Sequence, residues 1–400
     1  MIKISKKIIS SFLTLCILCA VFSVSTFAAS GKAVGSGDYY ADAANLSFGY
    51  AHSAYITGNG DLYTWGENDV GRIGDGTTES KYTPTKIMSN VKTVSLGNGH
   101  SGAITENGDL YMWAYNKYGQ LGDGTTDNSI TPKKIMSNVK AVSLGGYHTG
   151  AITENGDLYM WGYNHFGQLG NGTTECRYTP TKIMSNVKAV SLGDRHSGAI
   201  TKNGDLYTWG YNHNGELGDG TTDNNITPKK IMSNVKAVSL GYNHSGAITE
   251  NDDLYMWGDN HVGQLGDGTT TDRLIPTKIM SNVKEVCLGS FHSGTITQND
   301  DLYMWGYNYF GELGDGTTTD RYSPTKIANL FVLKLGDVNL DGIVNIYDVT
   351  LTQKYIANIT ELDSRRLKAA DVTGDGYVNI YDVTKIQKYI AGLISSLSNS

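Results

Sequence analysis

Between about residues 45 and 335, short hydrophobic runs alternate with glycine-rich polar turns, and the whole pattern returns every 48 residues. One unit, which starts at Ala141, reads AVSLGGYHTGAITENGDLYMWGYNHFGQLGNGTTECRYTPTKIMSNVK. Its runs AVSLG, TGAIT, DLYMWG and TPTKI are short and rich in β-branched or aromatic residues, and none shows a stripe of helical period. Each unit is therefore predicted to form four β-strands.

The turns between these runs carry signals of their own. In most units Asn-Gly stands between the second and third runs, and this pair favours a two-residue type I′ hairpin with positive φ at both central positions. The aspartates that follow could supply paired carboxylates for catalysis. We interpret them as turn residues because each one follows a hairpin turn; they are Asp61, Asp109, Asp157, Asp205, Asp253 and Asp301.

Tryptophan and histidine recur with the same spacing, once in each of six units. A period of this length, built from strands, predicts a β-propeller in which one unit forms one blade. We expect the tryptophans to pack between blades and the histidines to have a structural role rather than to act as ligands or bases. The two sets are Trp65, Trp113, Trp161, Trp209, Trp257 and Trp305, and His52, His100, His148, His196, His244 and His292.

The repeated elements His-Ser-X-Ala-Ile-Thr, Trp-Gly-X-Asn and Gln-Leu-Gly-X-Gly resemble the regulator of chromosome condensation repeat family over residues 45–335. The resemblance implies a mainly β fold, here a β-propeller of six 48-residue four-stranded units. Because the family usually closes with seven blades, the blade number stays open between six and seven. We expect one of two strand-like segments, 45–49 or 333–336, to complete the ring by pairing the first blade with the last.

The resemblance also implies a function in binding: some family members promote nucleotide exchange on a small GTPase, and a secreted bacterial relative inhibits β-lactamase. Ligand contacts are expected where the units differ, in the pair before each repeated histidine and in the positions after Trp-Gly-X-Asn. Aromatic residues there can anchor a protein or stack on sugar rings. The candidates are Tyr118, Tyr147, Phe166, Tyr242, Phe291, Tyr309 and Phe310. The alternative is that these loops vary without binding anything.

Catalytic motifs are not evident in the sequence, which has no GxSxG, no HExxH and no phosphate loop. Almost every polar residue of the repeats occurs six times, whereas a catalytic constellation is local and asymmetric. A glycoside hydrolase would need two carboxyl groups at a set separation. Only the turn aspartates and Glu67, Glu216 and Glu312 could supply them. Whether the chain is an enzyme stays open, with the balance against it.

The sequence pattern of the repeats ends at Gly336. Two Asp-rich segments of twelve residues follow, and they begin 34 residues apart, at Asp337 and Asp371. Oxygen donors at positions 1, 3, 5, 7, 9 and 12, with glycine at position 6, are typical of a loop that wraps around calcium. The predicted ligands are Asp337, Asn339, Asp341, Ile343, Asn345 and Asp348 in the first loop, and Asp371, Thr373, Asp375, Tyr377, Asn379 and Asp382 in the second. Thr373 departs from the usual Asn or Asp, which predicts a weaker site or one that recruits water.

Both loops lead into nearly the same sequence, Asn-Ile-Tyr-Asp-Val-Thr and then Gln-Lys-Tyr-Ile-Ala, with no helix pattern before either loop. Residues 336–394 thereby resemble a small α-helical type I dockerin domain, which implies two calcium ions and a cohesin partner. The cohesin contacts carried over from the family are Ile346, Tyr347, Gln353, Lys354, Ile380, Tyr381, Gln387 and Lys388. The competing interpretation places Ile346 and Ile380 in the core. Because the copies match, either helix could lead the docking after a half-turn.

The N-terminus has the pattern of a secretory signal peptide over residues 1–30, with Lys3, Lys6 and Lys7 before an apolar run and then small residues. The run Ile8–Phe22 is short for a membrane span. Residues 31–44 would follow as a short segment, and 395–400 as a tail. Cys16 and Cys19 belong to the signal, and Cys176 and Cys287 are expected to be free.

Composition agrees with an extracellular protein that binds neither nucleic acid nor, once the signal is cleaved, a membrane. The net charge is −7, only 18% of residues are charged, and the chain holds 49 glycines and 26 tyrosines. The sequence thus predicts a secreted, non-catalytic component of a cellulosome-like complex, held on a cell surface or released. Its propeller would bind a protein or a plant cell-wall polysaccharide. The alternatives are a glycoside hydrolase or other polysaccharide-degrading enzyme, and an inhibitor of a secreted enzyme.

Overall fold

A computed structural model of the chain describes residues 46–329 and 334–397. They belong to two compact units, one within Met1–Ala328 and the other within Asn329–Ser400. The first unit contains 24 strands and the second contains three helices. The predicted signal peptide, the segment 31–44 and residues 398–400 of the predicted tail lie outside the described residues.

The strands form six four-stranded sheets, each one a blade in which consecutive strands are neighbours. The first three blades are β1 (Leu46–Phe48), β2 (His52–Ile56), β3 (Leu62–Gly66) and β4 (Lys81–Met88); β5 (Val91–Leu96), β6 (His100–Thr105), β7 (Leu110–Ala114) and β8 (Ser129–Met136); and β9 (Val139–Leu144), β10 (His148–Thr153), β11 (Leu158–Gly162) and β12 (Arg177–Met184). The last three are β13 (Val187–Leu192), β14 (His196–Thr201), β15 (Leu206–Gly210) and β16 (Asn225–Met232); β17 (Val235–Leu240), β18 (His244–Thr249), β19 (Leu254–Gly258) and β20 (Arg273–Met280); and β21 (Val283–Leu288), β22 (His292–Thr297), β23 (Asp301–Gly306) and β24 (Arg321–Asn329).

The hydrophobic core of the first unit lies between adjacent blades. Within a blade the strands pair antiparallel, with His148 opposite Gly162 and Ile152 opposite Leu158 in the third blade. Ile152 and Leu158 are buried there against Val190 of the fourth blade. The predicted mainly β propeller of six four-stranded units is confirmed.

The hairpin between the second and third strands differs from the predicted type I′ turn. In the second blade Thr105 N donates to the Asp109 carbonyl (3.0 Å) and Gly108 N donates to the Thr105 carbonyl (2.9 Å). Of the loop residues only Gly108 has a positive φ, at 76°. The loop is therefore a three-residue type I turn that ends in a left-handed residue, and the prediction of two left-handed positions is wrong.

The aspartate after each hairpin is a structural residue, as expected. Asp109 accepts hydrogen bonds from the Ser137 hydroxyl (2.7 Å) and the Lys134 ammonium (2.7 Å) on the outermost strand. Both contacts favour the charged carboxylate, so the pKa of Asp109 is lower than usual, with the Lys134 hydrogen bond as the largest cause. The same Lys and Ser contacts recur at Asp61, Asp157, Asp205 and Asp253.

Neighbouring blades are joined by hydrogen bonds from the repeated histidine and tryptophan. His100 Nε2 pairs with the Thr149 hydroxyl of the next blade (3.0 Å), and Thr149 Oγ1 donates to the Gln120 carbonyl (2.8 Å). Trp161 Nε1 donates to that same carbonyl (3.0 Å). The arrangement recurs at all five junctions from the first blade to the sixth, with serine in place of Thr149 at four of them. The structural roles expected for both residue types are confirmed.

Between the sixth blade and the first, none of these bonds forms within the described residues. Trp65 is partly exposed, whereas the other five tryptophans are fully buried. Of the segments expected to complete the ring, residues 46–48 form β1, which pairs with β2 of its own blade, and Leu335 packs in the second unit. Asn45 and Leu333 lie outside the described residues. Closure of the ring therefore stays a prediction.

The second unit is built on three helices, α1 (Ile346–Ile356), α2 (Ser364–Ala370) and α3 (Ile380–Ile390). Its core contains Val349, Val383 and Leu397, so the compact part extends into the predicted tail. The expectation that no helix precedes either loop is wrong for the second loop, because α2 ends directly before it. This helix is only seven residues long and begins at the Asp363 N-cap.

Two further sequence predictions concern disulfide bonds and membrane-spanning segments. Cys176 and Cys287 are both free, as expected. Among the described helices, none is long and apolar enough to cross a membrane.

Candidate functional site

The first Asp-rich loop is folded around its own carboxylates. Asp337 accepts hydrogen bonds from Asp341 N (3.0 Å) and Gly342 N (2.8 Å). Asp348, the last residue of the loop, accepts from Val338 N (2.7 Å) and Asn345 N (2.8 Å). The two ends of the loop are thus held together by main-chain N–H groups. Those groups leave other carboxylate lone pairs for a cation.

The second loop repeats this pattern with one change. Asp371 accepts from Gly376 N (2.9 Å), and Asp382 accepts from Asn379 N (2.9 Å). Thr373, which stands where the first loop has Asn339, contacts Asp382 through both its main-chain N and its hydroxyl, each at 2.9 Å. The threonine is accommodated because its hydroxyl donates to the closing carboxylate.

Each loop reverses direction at its sixth position, where a glycine is required. Gly342 and Gly376 have φ of 82° and 85°, a region that side chains with a Cβ rarely adopt. An added Cβ would meet nothing within 4 Å at either glycine. The requirement therefore lies in the backbone conformation and not in space.

The donor set of the loops fits a hard cation such as calcium. Within the described residues no three His, Cys, Asp or Glu side chains converge as a metal-binding group. The loops instead combine carboxylates with amide, hydroxyl and main-chain oxygens, which is the mixture calcium prefers. Asp348 is fully buried, and burial raises its pKa, with a further increase from the nearby Asp337 charge. A cation held between these two carboxylates would offset both effects.

At the seventh position the side chain is directed away from the loop. Ile343 and Tyr377 are 62% and 76% exposed. Their expected contribution is the main-chain carbonyl, and in the first loop the Ile343 carbonyl also accepts from Asn345 Nδ2 (3.3 Å). The twelve predicted ligand residues lie in these two loops, and their binding of calcium is taken up below as a proposal.

The residues carried over as cohesin contacts form two matching exposed surfaces, one on α1 and one on α3. Ile346 and Ile380 are each 58% exposed, so the interpretation that places them in the core is wrong. All eight side chains are exposed: Ile346, Tyr347, Gln353 and Lys354 on α1, and Ile380, Tyr381, Gln387 and Lys388 on α3. The structure thus presents the same four side chains twice.

Aromatic residues from the loops of the second, third and fourth blades form a continuous chain of ring contacts, which we call the tyrosine arm. The ring of Tyr118 lies 5.6 Å from that of Tyr147 and 4.8 Å from that of Tyr163, and the ring of Phe166 lies 5.1 Å from that of Tyr211. The whole set is Tyr115, Tyr118, Tyr147, Tyr163, His165, Phe166, Tyr211 and His213.

A second group, the phenylalanine arm, comes from the fifth and sixth blades. Phe291 contacts Tyr242 (5.9 Å between ring centres) and Tyr307 (6.4 Å), and Tyr309 contacts Phe310 (4.9 Å). His261 completes it by contacting Phe291. The seven predicted aromatic candidates are therefore gathered into two groups: Tyr118, Tyr147 and Phe166 in the tyrosine arm, and Tyr242, Phe291, Tyr309 and Phe310 in the phenylalanine arm.

Sequence reasoning missed the residues that connect these rings. Tyr115, Tyr163, Tyr211 and Tyr307 occupy the X of Trp-Gly-X-Asn, a position that we treated as part of the repeated strand. The signal was available, because the same position holds Glu67 in the first unit and Asp259 in the fifth. Arg195 lies in the variable pair before His196 but was not among the aromatic candidates: its guanidinium lies 5.4 Å from the Phe166 ring centre and pairs with Asp194 at 3.1 Å.

The glutamates available to a hydrolase are poorly placed for catalysis. Glu67 is ion-paired with Arg72 (3.2 Å). Glu216 and Glu312 are buried, and each accepts a hydrogen bond (2.9 Å) from the main-chain N two residues before it, at Asn214 and Phe310. Burial raises the pKa of Glu216 to about 7, but its side chain has no exposed surface.

A cavity of about 330 Å³ lies where the loops of all six blades meet, and it offers mainly apolar surface. Repeated leucine and glycine residues such as Leu144 and Gly145 line it. Across it Asn98 Nδ2 donates to Asp194 Oδ1 (3.1 Å), a bond between the second and fourth blades. Burial raises the pKa of Asp194. Polar and aromatic groups that could recognise a ligand are more frequent in the surrounding loops than in the cavity.

Comparison with known proteins agrees with this geometry: a repeated β-propeller on one unit and two Asp-rich loops on the other. The chain belongs to the RCC1-like domain family, which matches residues 33–346. Residues 335–391 match the dockerin type I domain. Both predicted resemblances are confirmed.

Solved structures of RCC1 proteins share the fold of the first unit. Yeast RCC1 (Prp20), solved with Kap60 bound, is 24% identical with a TM-score of 0.65, and the match covers 72% of this chain and 75% of that chain. Human WBSCR16 is 22% identical with a TM-score of 0.64, over 71% of this chain and 81% of that chain. At these identities the likeness shows the fold alone.

The match to the dockerin type I domain indicates the general function of the second unit. A dockerin indicates cohesin binding of the cellulosome type, and type I dockerin domains generally bind calcium. Proteins with dockerins are typically secreted and extracellular.

Proposed function

We propose that this chain is a secreted, non-catalytic component of a cellulosome-like complex, anchored when its dockerin binds a scaffold cohesin in a calcium-dependent way. The observation that carries the proposal is the pair of matching surfaces on α1 and α3, each following an Asp-rich loop whose closing carboxylate is buried. Apolar Ile and Tyr side chains at 58–73% exposure, beside Gln and Lys, have the composition of a protein interface.

Two calcium ions are proposed, one in each loop. Each loop contains three aspartates within twelve residues, and their mutual repulsion opposes folding until a cation binds. Capping boxes at Asn345 and Asn379 start α1 and α3 from the same segments that would hold the ions. Calcium binding would therefore fix the helix starts and with them the exposed Ile and Tyr of each surface.

Cohesin binding is tested on the full chain by calorimetry against a panel of type I cohesin modules. Because the two surfaces match, replacing Ile346 and Tyr347 by alanine should weaken binding by less than about threefold, and so should replacing Ile380 and Tyr381. Replacing all four should weaken it by about a hundredfold or more. Ile359→Ala is the matched control, since Ile359 is equally apolar and 72% exposed but lies outside both surfaces.

The proposal of two equivalent binding modes fails if one pair of alanines alone removes binding while the other is tolerated. The proposal of cohesin binding fails if no cohesin in the panel binds the calcium-loaded chain. A control variant as weak as the fourfold variant would show that the loss is not specific to the two surfaces.

For the propeller we propose a binding role, with a plant cell-wall polysaccharide or another secreted protein as the ligand. The row of contacting rings in the tyrosine arm supports binding, and the burial or ion pairing of Glu67, Glu216 and Glu312 argues against hydrolysis. Incubation of the full chain with insoluble cellulose, xylan and pectin tests this through the bound fraction and the reducing sugar released. Release of sugar would favour the glycoside hydrolase instead.

A further inference from the structure

We propose that the tyrosine arm binds a single neutral polysaccharide chain, whose sugar rings lie against the row of aromatic rings from the second to the fourth blade. This inference rests on the proposed binding role of the propeller and names the ligand class and the surface. The arm is suited to a linear polymer because its rings follow one another in contact, from Tyr115 and Tyr147 through Tyr118 and Tyr163 to Phe166 and Tyr211.

The polar edges of the arm are available to a ligand. Among the described residues, none donates to or accepts from the hydroxyls of the five tyrosines, Tyr115, Tyr118, Tyr147, Tyr163 and Tyr211. These five residues are half-buried or, in Tyr147, 37% exposed, so each is partly accessible to a ligand. A sugar has the complementary surface, with apolar C–H faces and hydroxyl groups at the edge.

The charges around the arm favour a neutral chain over a polyuronate. Arg195, which stacks on Phe166, is already paired with Asp194 at 3.1 Å. Lys117, next to Tyr118, is the one cation of these loops without an ion pair in the described part of the chain. One free lysine cannot neutralise a polymer that carries a carboxylate on every sugar, and the protein as a whole has a net charge of −7.

The phenylalanine arm differs in composition and serves as an internal comparison. It contains Phe291 and Phe310 beside its tyrosines Tyr242, Tyr307 and Tyr309, and its histidine, His261, is held by Asp259 at 2.7 Å. Phe310 is more exposed than Tyr147, at 66% against 37%. If exposed aromatic area alone decided binding, Phe310 would matter more than any residue of the tyrosine arm.

The test uses the full chain with calcium present and three hexasaccharides of equal length as probes: cellohexaose, xylohexaose and hexagalacturonate. Calorimetry should detect binding of at least one neutral probe and weaker or no binding of the charged one. Tyr163→Ala should weaken the neutral complex about tenfold or more, and Tyr163→Phe should weaken it severalfold because the ring stays and the hydroxyl is lost. Thermal melting of each variant checks that the fold is kept.

Two control variants distinguish specific binding by the tyrosine arm from nonspecific binding to any exposed aromatic residue. Phe310→Ala removes an aromatic ring of the other arm. Tyr82→Ala removes a tyrosine of β4 that is 93% exposed. Both should leave the affinity for the neutral probe within about twofold, because neither residue belongs to the row of rings.

The proposal is overturned if neither neutral probe binds, if hexagalacturonate binds more tightly, or if Phe310→Ala weakens binding as much as Tyr163→Ala. Capture of a secreted protein through the tyrosine arm, without any sugar binding, would overturn it in favour of a protein ligand. These results are independent of the cohesin experiment: a chain that binds cohesin but no hexasaccharide defeats this inference and leaves the docking function intact.

Discussion

The two units of this chain solve the problem of buried polar groups in opposite ways. The propeller buries neutral groups that hydrogen-bond one another, as in the contact of His100 with Thr149 and of Trp161 with the Gln120 carbonyl. The dockerin buries carboxylates, Asp348 and Asp382, that receive only N–H and hydroxyl donors from the protein. Neutral buried groups carry no charge to balance, whereas buried anions are stabilised by a cation.

The difference follows from size. Adjacent blades of the propeller share apolar clusters at each of five junctions, so the repeated unit supplies its own core. The dockerin has one small core around Val349 and Val383, and a domain of this length buries a smaller fraction of its surface. Small domains commonly add a metal to reach stability. We therefore expect the propeller to fold without an ion and the dockerin to depend on one.

Removing calcium should produce the largest difference in stability between the two units. An excess of chelator should abolish the helical signal of residues 336–394 and cohesin binding together, because in this domain the binding energy of the ion becomes folding energy. The β signal of the propeller should be unchanged. Circular dichroism with and without chelator, followed by calcium addition, checks this. A dockerin that stays folded and binds cohesin in excess chelator would contradict the comparison.

Acid should affect the propeller more steeply than its net charge suggests. Burial lowers the pKa of His52, His100, His148, His196 and His244 to about 3, and that of His292 to about 4, against the ordinary value of 6.5. Between about pH 4 and 6.5 the unfolded chain therefore binds more protons than the folded one. As the pH falls through this window, the free energy of unfolding should decrease. The slope approaches roughly 8 kcal/mol per pH unit only where the unfolded histidines are fully protonated and the folded ones still neutral, at about 1.4 kcal/mol for each histidine.

Thermal melting at a series of pH values measures that slope. His148→Gln keeps a donor for the Ser197 hydroxyl but does not titrate, so its slope should be smaller by about one sixth. The lowered pKa of turn carboxylates such as Asp109 acts in the same direction at lower pH. A melting temperature that is constant from pH 7 to 4.5 would show that the histidines are not buried as neutral groups.

The smallest of these effects compares one repeated position in two blades. Trp161→Ala should cost about 3–5 kcal/mol of unfolding free energy, because the side chain is fully buried and its indole donates a hydrogen bond. Trp65→Ala, at the same place in the first blade, should cost roughly half as much, since Trp65 is partly exposed. Denaturant unfolding of both variants checks this. Equal losses would mean that the first blade is covered as completely as the third.

Much of the fold could be predicted because each strand and turn pattern occurs six times in the sequence. Strand number, the packing of Trp161 between blades and the structural role of His148 all follow from residues that recur at fixed positions. The hairpin was mispredicted because Asn-Gly fits more than one turn, and the bond from Thr105 N to Asp109 selects the three-residue form. The helix α2 was missed because seven residues are too few to show a periodic stripe.

The sites were predictable in proportion to how local they are. The predicted calcium loop is contained in twelve consecutive residues, so its candidate ligands could be named from Asp337 to Asp348 by spacing alone. The tyrosine arm joins residues from three blades, such as Tyr118, Tyr163 and Tyr211. Their contact depends on how far one blade is turned relative to the next, and no pattern along a single unit contains that angle.

The junction between blades has a consequence for how such a chain can change over generations. Each bond reaches from a residue of one unit to a residue of the next at a constant separation, as from His100 to Thr149 and from His148 to Ser197. An in-frame duplication or deletion of 48 residues would therefore recreate the same junction wherever it fell in the interior. One 48-residue unit can therefore be gained or lost without any new type of contact between blades. The number of blades is thus open to change by recombination at little cost to stability.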